Sequence, residues 1–69
     1  MTTDELRTHL NELVNKYVTD QAVKERLLHL AEREDIPAKG ILVELTPFTS
    51  GCISEEDRKM IGDIAFHFC

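Results

Sequence analysis

Apolar side chains recur along this chain at intervals of three and four in three places and run almost unbroken in a fourth. Leu6, Leu10, Leu13, Val14 and Tyr17 line one face of a helix over Thr2 to Val18. Thr2 followed three residues later by Glu5 has the form of a capping box. Asp4 and Glu5 suit the positive end of the helix dipole, and Glu12 with Lys16 makes a favourable i,i+4 pair on the polar side. Thr19-Asp20 then breaks the pattern and offers an N-cap for a second helix, from Gln21 to about Glu34. Its inner stripe is Val23, Leu27, Leu30 and Ala31 with Leu28 on the flank, while Lys24, Glu25, Arg26, Glu32 and Arg33 face water. So short a connection predicts that the two helices pack as an antiparallel hairpin.

Asp35-Ile36-Pro37 ends the second helix, because a residue before proline is pushed out of the helical region and Pro37 fits a first helical position. The run Gly40-Ile41-Leu42-Val43-Glu44-Leu45 follows, and it forks the interpretation. As a helix it puts Ile41, Leu45 and Phe48 on one face, with Gly40 costing about 1 kcal/mol relative to alanine. As a strand it suits β-branched Ile41 and Val43, yet the chain offers no second strand to pair with it. The helix is favoured. Thr46 to Cys52 has loop composition, and a last helix follows with Ser54 as N-cap and Glu55, Glu56 and Asp57 in its first turn. Met60, Ile61, Ile64, Ala65 and Phe68 form its stripe against a polar face of Arg58, Lys59, Gly62 and Asp63.

The expected architecture is all-α. Three amphipathic helices and a short apolar third element form a single helical domain over residues 1–69, completed by dimerisation. The dimer is expected from size, since a chain of 69 residues buries only about 60% of its unfolded surface. Leu6, Leu10, Leu13, Tyr17, Ile41 and Leu45 are the residues assigned to an apolar dimer or partner face.

Composition narrows the function classes. Hydrophobic residues at 42% and charged residues at 30% describe a chain that folds. Thirteen acidic against eight basic residues leave a formal net charge of −5, which repels nucleic acid and anionic membrane and favours a basic-faced partner. The polar, acidic start Met1 to Glu5 predicts neither a signal peptide nor a membrane span, and with only two cysteines a cytoplasmic protein is expected.

Candidate chemistry is sparse. His67 with Cys69, together with Cys52, suggests a small metal- or redox-linked protein, but there is no Cys-x-x-Cys and no His-x-x-x-His. His9 after Glu5 and His67 after Asp63, each at i,i+4, suit exposed histidines beside a carboxylate. Neither a metal site nor a cofactor is expected. A thiolate at Cys52 is opposed by Glu55, Glu56 and Asp57 at the same helix end, and these three read as a capping cluster rather than as acid–base catalysts. Ala31, Asp35, Ile36 and Ile41 fall at the spacing of a helix-turn-helix, giving a DNA-binding regulator as the alternative. Its second helix, however, offers only Lys39 as a basic reader near Pro37, and the turn lacks glycine.

By subtraction, the expectation is a non-enzymatic interaction module, an adaptor, inhibitor or regulatory subunit, that works as a homodimer. The acidic residues Glu32, Glu34, Asp35, Glu55 and Glu56 would steer it toward its partner.

Overall fold

The computed structural model describes residues 2–51 and 53–68, so Cys52 and Cys69, and the metal or redox site built on them, lie outside the described residues. Four helices follow one another: α1 (Thr3–Tyr17), α2 (Gln21–Ala31), α3 (Ala38–Thr49) and α4 (Glu55–Phe68). The all-α class holds. The third element is a full helix of twelve residues, not a short piece, and the strand alternative falls.

Three of the four starts are set by a side chain where one was expected. The Glu5 amide donates to Thr2 Oγ1 at 3.2 Å and the Thr2 amide returns to Glu5 Oε1 at 3.4 Å, closing the capping box. Asp20 accepts from the amides of Ala22 and Val23 at 3.0 and 3.2 Å, and Ser54 accepts from Asp57 at 3.2 Å. At α3 the residue in the cap position is Pro37, which has no capping hydrogen bond, and the helix begins one residue later at Ala38.

Two ends differ from expectation, for identifiable reasons. Helix α2 stops at Ala31 rather than near Glu34. Its last turn tightens, the Glu32 amide bonding back to the carbonyls of His29 and Leu30, and Arg7 of α1 claims the carbonyls beyond. Arg7 Nε donates to the Ala31 carbonyl at 3.0 Å and its terminal nitrogen to that of Arg33 at 3.2 Å. The same contact sets the start of α1 against the end of α2, which makes the pair antiparallel.

Helix α3 continues through Pro47 to Thr49, where a loop was expected from Thr46 onward. Proline removes the donor that the Val43 carbonyl would use, and both Val43 and Pro47 are exposed, so the loss falls on the solvent side. The hydroxyls of Thr46 and Thr49 bond to the carbonyls of Leu42 and Leu45 at 3.1 and 3.2 Å. Leu45 is fully buried and Phe48 packs against the core, so tertiary contact holds the turn that local propensity would break.

The core is built around α1, which supplies Leu6, Leu10, Leu13 and Val14, with Val18 just beyond its end. Leu27 and Ala31 of α2, Ala38, Ile41 and Leu45 of α3 and Ile64 of α4 close over it. Helix α1 packs against all three others, whereas α2 and α4 do not touch among the described residues. The Cα atoms span 27 × 26 × 16 Å. The short dimension is slightly more than two parallel helix layers, whose axis separation of about 9 Å plus a backbone radius of about 2.3 Å on each side gives about 14 Å.

Candidate interaction surface

Helical register decides what the apolar run of α3 can bury. Successive residues turn by about 100°, so Ile41 and Leu45 point inward while Leu42 and Val43 are carried round toward solvent. Ile41 and Leu45 are completely buried, Leu42 is half-buried and Val43 is 63% exposed. On α4 the same rule turns Ile64 into the core and leaves Ile61 and Ala65 facing the outer side of α3. A shallow groove results between the two helices. Leu42, Val43, Ile61 and Ala65 form its apolar walls, and Lys39 and Thr46 add polar groups. Its volume is about 290 Å³.

The outer side of α4 turns away from this groove. Arg58 stands three residues before Ile61 and seven before Ala65, and Gly62 and Phe66 follow round the helix. Phe66 is 84% exposed, and Phe68, expected on the inner stripe, is also partly exposed. Gly62 adds no side chain to the helix surface, and a Cβ built there would meet nothing within 4 Å.

Helix α4 is held in position by a polar contact to α1. Lys16 Nζ donates to Asp57 Oδ2 at 2.7 Å, and the Tyr17 hydroxyl donates to the same oxygen. The Ser54 amide donates in turn to the Tyr17 hydroxyl oxygen at 3.4 Å. The hydrogen bond from Lys16, then that from Tyr17, with Ser54 adding to them, hold the Asp57 carboxyl down to about 2 from an ordinary 3.8. Lys16 is correspondingly raised, chiefly by its hydrogen bond to Asp57. It reaches α4 rather than pairing with Glu12 along its own helix.

The residues singled out from the sequence fall elsewhere. Leu6, Leu10, Leu13, Ile41 and Leu45, assigned to a dimer or partner face, are all in the core, each 2% exposed or less. The chain covers this stripe with its own helices, and only Tyr17 is half-buried, its hydroxyl engaged with Asp57. The exposed carboxylates Glu32, Glu34, Asp35, Glu55 and Glu56 do not form one patch. Glu32 to Asp35 lie where Arg7 meets the end of α2, and Glu55 and Glu56 lie where Lys16 and Tyr17 meet α4. Those two points sit at opposite ends of α1. Asp35 is also engaged by Arg33 at 3.2 Å.

His9 was expected to be exposed, but it flanks the α1 stripe, and its Nδ1 is buried with no hydrogen-bond partner among the described residues. Six residues, 32–37, separate α2 from α3, longer than the three to four of a helix-turn-helix. Ala31 and Ile41 of that pattern are core residues, and Lys39 is exposed at the start of α3. Among the described residues no three of His, Cys, Asp and Glu stand close enough to hold a metal ion, and no helix is long and apolar enough to cross a membrane.

No protein-family model matches the chain, and comparison with curated proteins and with solved structures gives no match.

Proposed function

We propose that this chain is a non-enzymatic protein–protein interaction module, an adaptor, inhibitor or regulatory subunit, and that its partner binds at the α3–α4 face. One observation carries this reading. Apolar side chains that the core leaves over, Leu42, Val43, Ile61 and Ala65, gather on α3 and α4 in the walls of one groove, with Val43 63% exposed. Exposed apolar side chains scattered singly need no explanation, whereas a contiguous set beside a groove marks a contact surface. A second copy of this chain is one candidate for the contact, giving the homodimer expected from the chain's size. Another protein is the other candidate.

The test is a photo-crosslinking residue placed at Val43 and, as a control, at His29 on the outer side of α2, with illumination in the source cell. A discrete protein adduct from position 43 and not from 29 is expected. An adduct of twice the chain mass identifies the homodimer, and any other mass identifies a separate partner. Equal labelling from both positions, or none from 43, overturns the proposal.

A further inference from the structure

We propose that the α3–α4 groove receives an amphipathic helix of another protein, one whose apolar ridge is flanked by carboxylates; this assignment rests on the α3–α4 face being the interaction surface. The groove's charge is the ground for it. The chain is acidic, and its other surface depressions follow suit: one is lined by Glu12 and Asp57 beside Lys16, another by Glu25 and Glu32. The α3–α4 groove reverses this, with Lys39 in its lining and no carboxylate. Arg58 stands one turn before Ile61 on α4, outside the lining itself. Lys39, like Lys24, Arg58 and Lys59, makes no ion pair among the described residues and is free to meet a partner, whereas Arg7, Lys16, Arg26 and Arg33 each hold a carboxylate of this chain. Glu55, one turn before Arg58, belongs to the acidic first turn of α4, and both lie outside the groove's lining, where Lys39 is the one charged side chain.

Shape points to the same occupant. The lining runs from Lys39 to Thr46 on α3 and from Ile61 to Ala65 on α4, about 10 Å and about 6 Å along the two helices, enough for one to two turns of a third helix to lie against them. Its floor on α4 is low, because Ala65 and the neighbouring Gly62 carry little or no side chain. Apolar anchors at i, i+3, i+4 and i+7 would meet Leu42, Val43 and Ile61, and carboxylates beside them would meet Lys39 and Arg58. The same charges disfavour two copies pairing groove to groove. A two-fold axis there would face two grooves that each carry Lys39 and no carboxylate in their lining, in molecules that already repel through a net charge of −5.

The test uses isotope-labelled full-length chain and two designed helical peptides with the same leucine ridge, one flanked by glutamate and one by lysine. The glutamate peptide is expected to shift the amides of Lys39, Leu42, Val43, Thr46, Ile61 and Ala65 and to bind about tenfold tighter than the lysine peptide at low salt. Added salt should narrow that gap. Lys39→Glu, at an exposed position, is expected to invert the order, and the spectrum of the variant reports its fold directly. Equal affinity, or a preference for the lysine peptide, overturns the charge assignment while leaving the groove as an interaction surface. Absence of shifts there with either peptide overturns both. Concentration-dependent shifts of the groove residues without any peptide overturn the proposal in favour of a second copy.

Discussion

The hydroxyl of Tyr17 and the carboxylate of Asp57 meet across 40 residues of sequence and join the end of α1 to the start of α4. Tyr17→Phe removes the donor, leaves the ring in place and takes away the acceptor of the Ser54 amide. The expected loss is about 1–2 kcal/mol of unfolding free energy, since a hydrogen bond to a charged group is worth more than a neutral one. Urea denaturation at neutral pH measures it.

Acid should weaken the same junction in a defined window. The Asp57 carboxyl is lowered in the folded chain to about 2 from 3.8, so its contribution is fully present above the unfolded value and is lost as pH falls through about 2. A stability profile between pH 5 and pH 2 should therefore decline, and Asp57→Asn should flatten the decline. An Asp57→Asn profile as steep as that of the wild type would assign the acid sensitivity to other carboxylates.

Arg7 should matter more than a surface arginine ordinarily does. Its guanidinium caps the end of α2 by taking the Ala31 and Arg33 carbonyls. Its ion pair with Asp4 is solvent-exposed and adds little. Arg7→Met keeps much of the aliphatic stem and removes the donors, and is expected to cost about 1–2 kcal/mol. Faster amide exchange over Glu32 to Arg33 would locate the damage, and Asp4→Ala should change stability by less than about 0.5 kcal/mol.

Three residues of the apolar run should respond very differently. Ile41→Ala and Leu45→Ala each empty a fully buried site and are expected to cost about 2–4 kcal/mol. Val43→Ala, on a side chain mostly in water, should stay within about 0.5 kcal/mol. Thermal denaturation of the three variants is the measurement.

Glycine and proline inside these helices should be improvable. A Cβ at Gly40 or Gly62 meets nothing within 4 Å, so alanine at either position should add about 0.5–1 kcal/mol by restricting the unfolded chain and improving helix propensity. Pro47→Ala returns a donor to the Val43 carbonyl. The helix-interior penalty of proline, about 3 kcal/mol, outweighs the entropy it removes from the unfolded chain, about 1 kcal/mol, so a net gain of about 1–2 kcal/mol is expected. Each is read from the denaturation midpoint.

The amphipathic parts of this fold were legible in the sequence because period and cap coincide there. Thr2 with Glu5, Asp20 and Ser54 each begin a helix where a side-chain oxygen meets free amides, and the stripe of α1 is the core stripe. What escaped was non-local. Nothing near Ala31 announces that Arg7, 24 residues earlier, will end α2, and nothing near Pro47 announces that buried Leu45 and half-buried Phe48 will carry α3 past it. The face proposed for a partner differs from the one read in the sequence. Apolar residues at regular spacing were assigned to a partner, but the regular ones are those a small chain needs for itself. Leu42 and Val43 were within reach of the sequence, since a run such as Ile41 to Leu45, once wound as a helix, must turn part of itself outward.

The groove belongs to two helices, and Ile64 is the one fully buried side chain that α4 contributes to the core among the described residues. The groove therefore exists only in molecules where α4 is seated against α3 and α1. Any ligand there draws on the seating equilibrium, and its apparent affinity falls by whatever fraction of the chain has α4 detached. Reciprocally, occupancy should protect α4 amides from exchange and raise the melting midpoint by mass action. Weakening Asp57, Lys16 or Tyr17, none of which lines the groove, would then lower any binding proposed there by unseating the helix that carries Ile61 and Ala65.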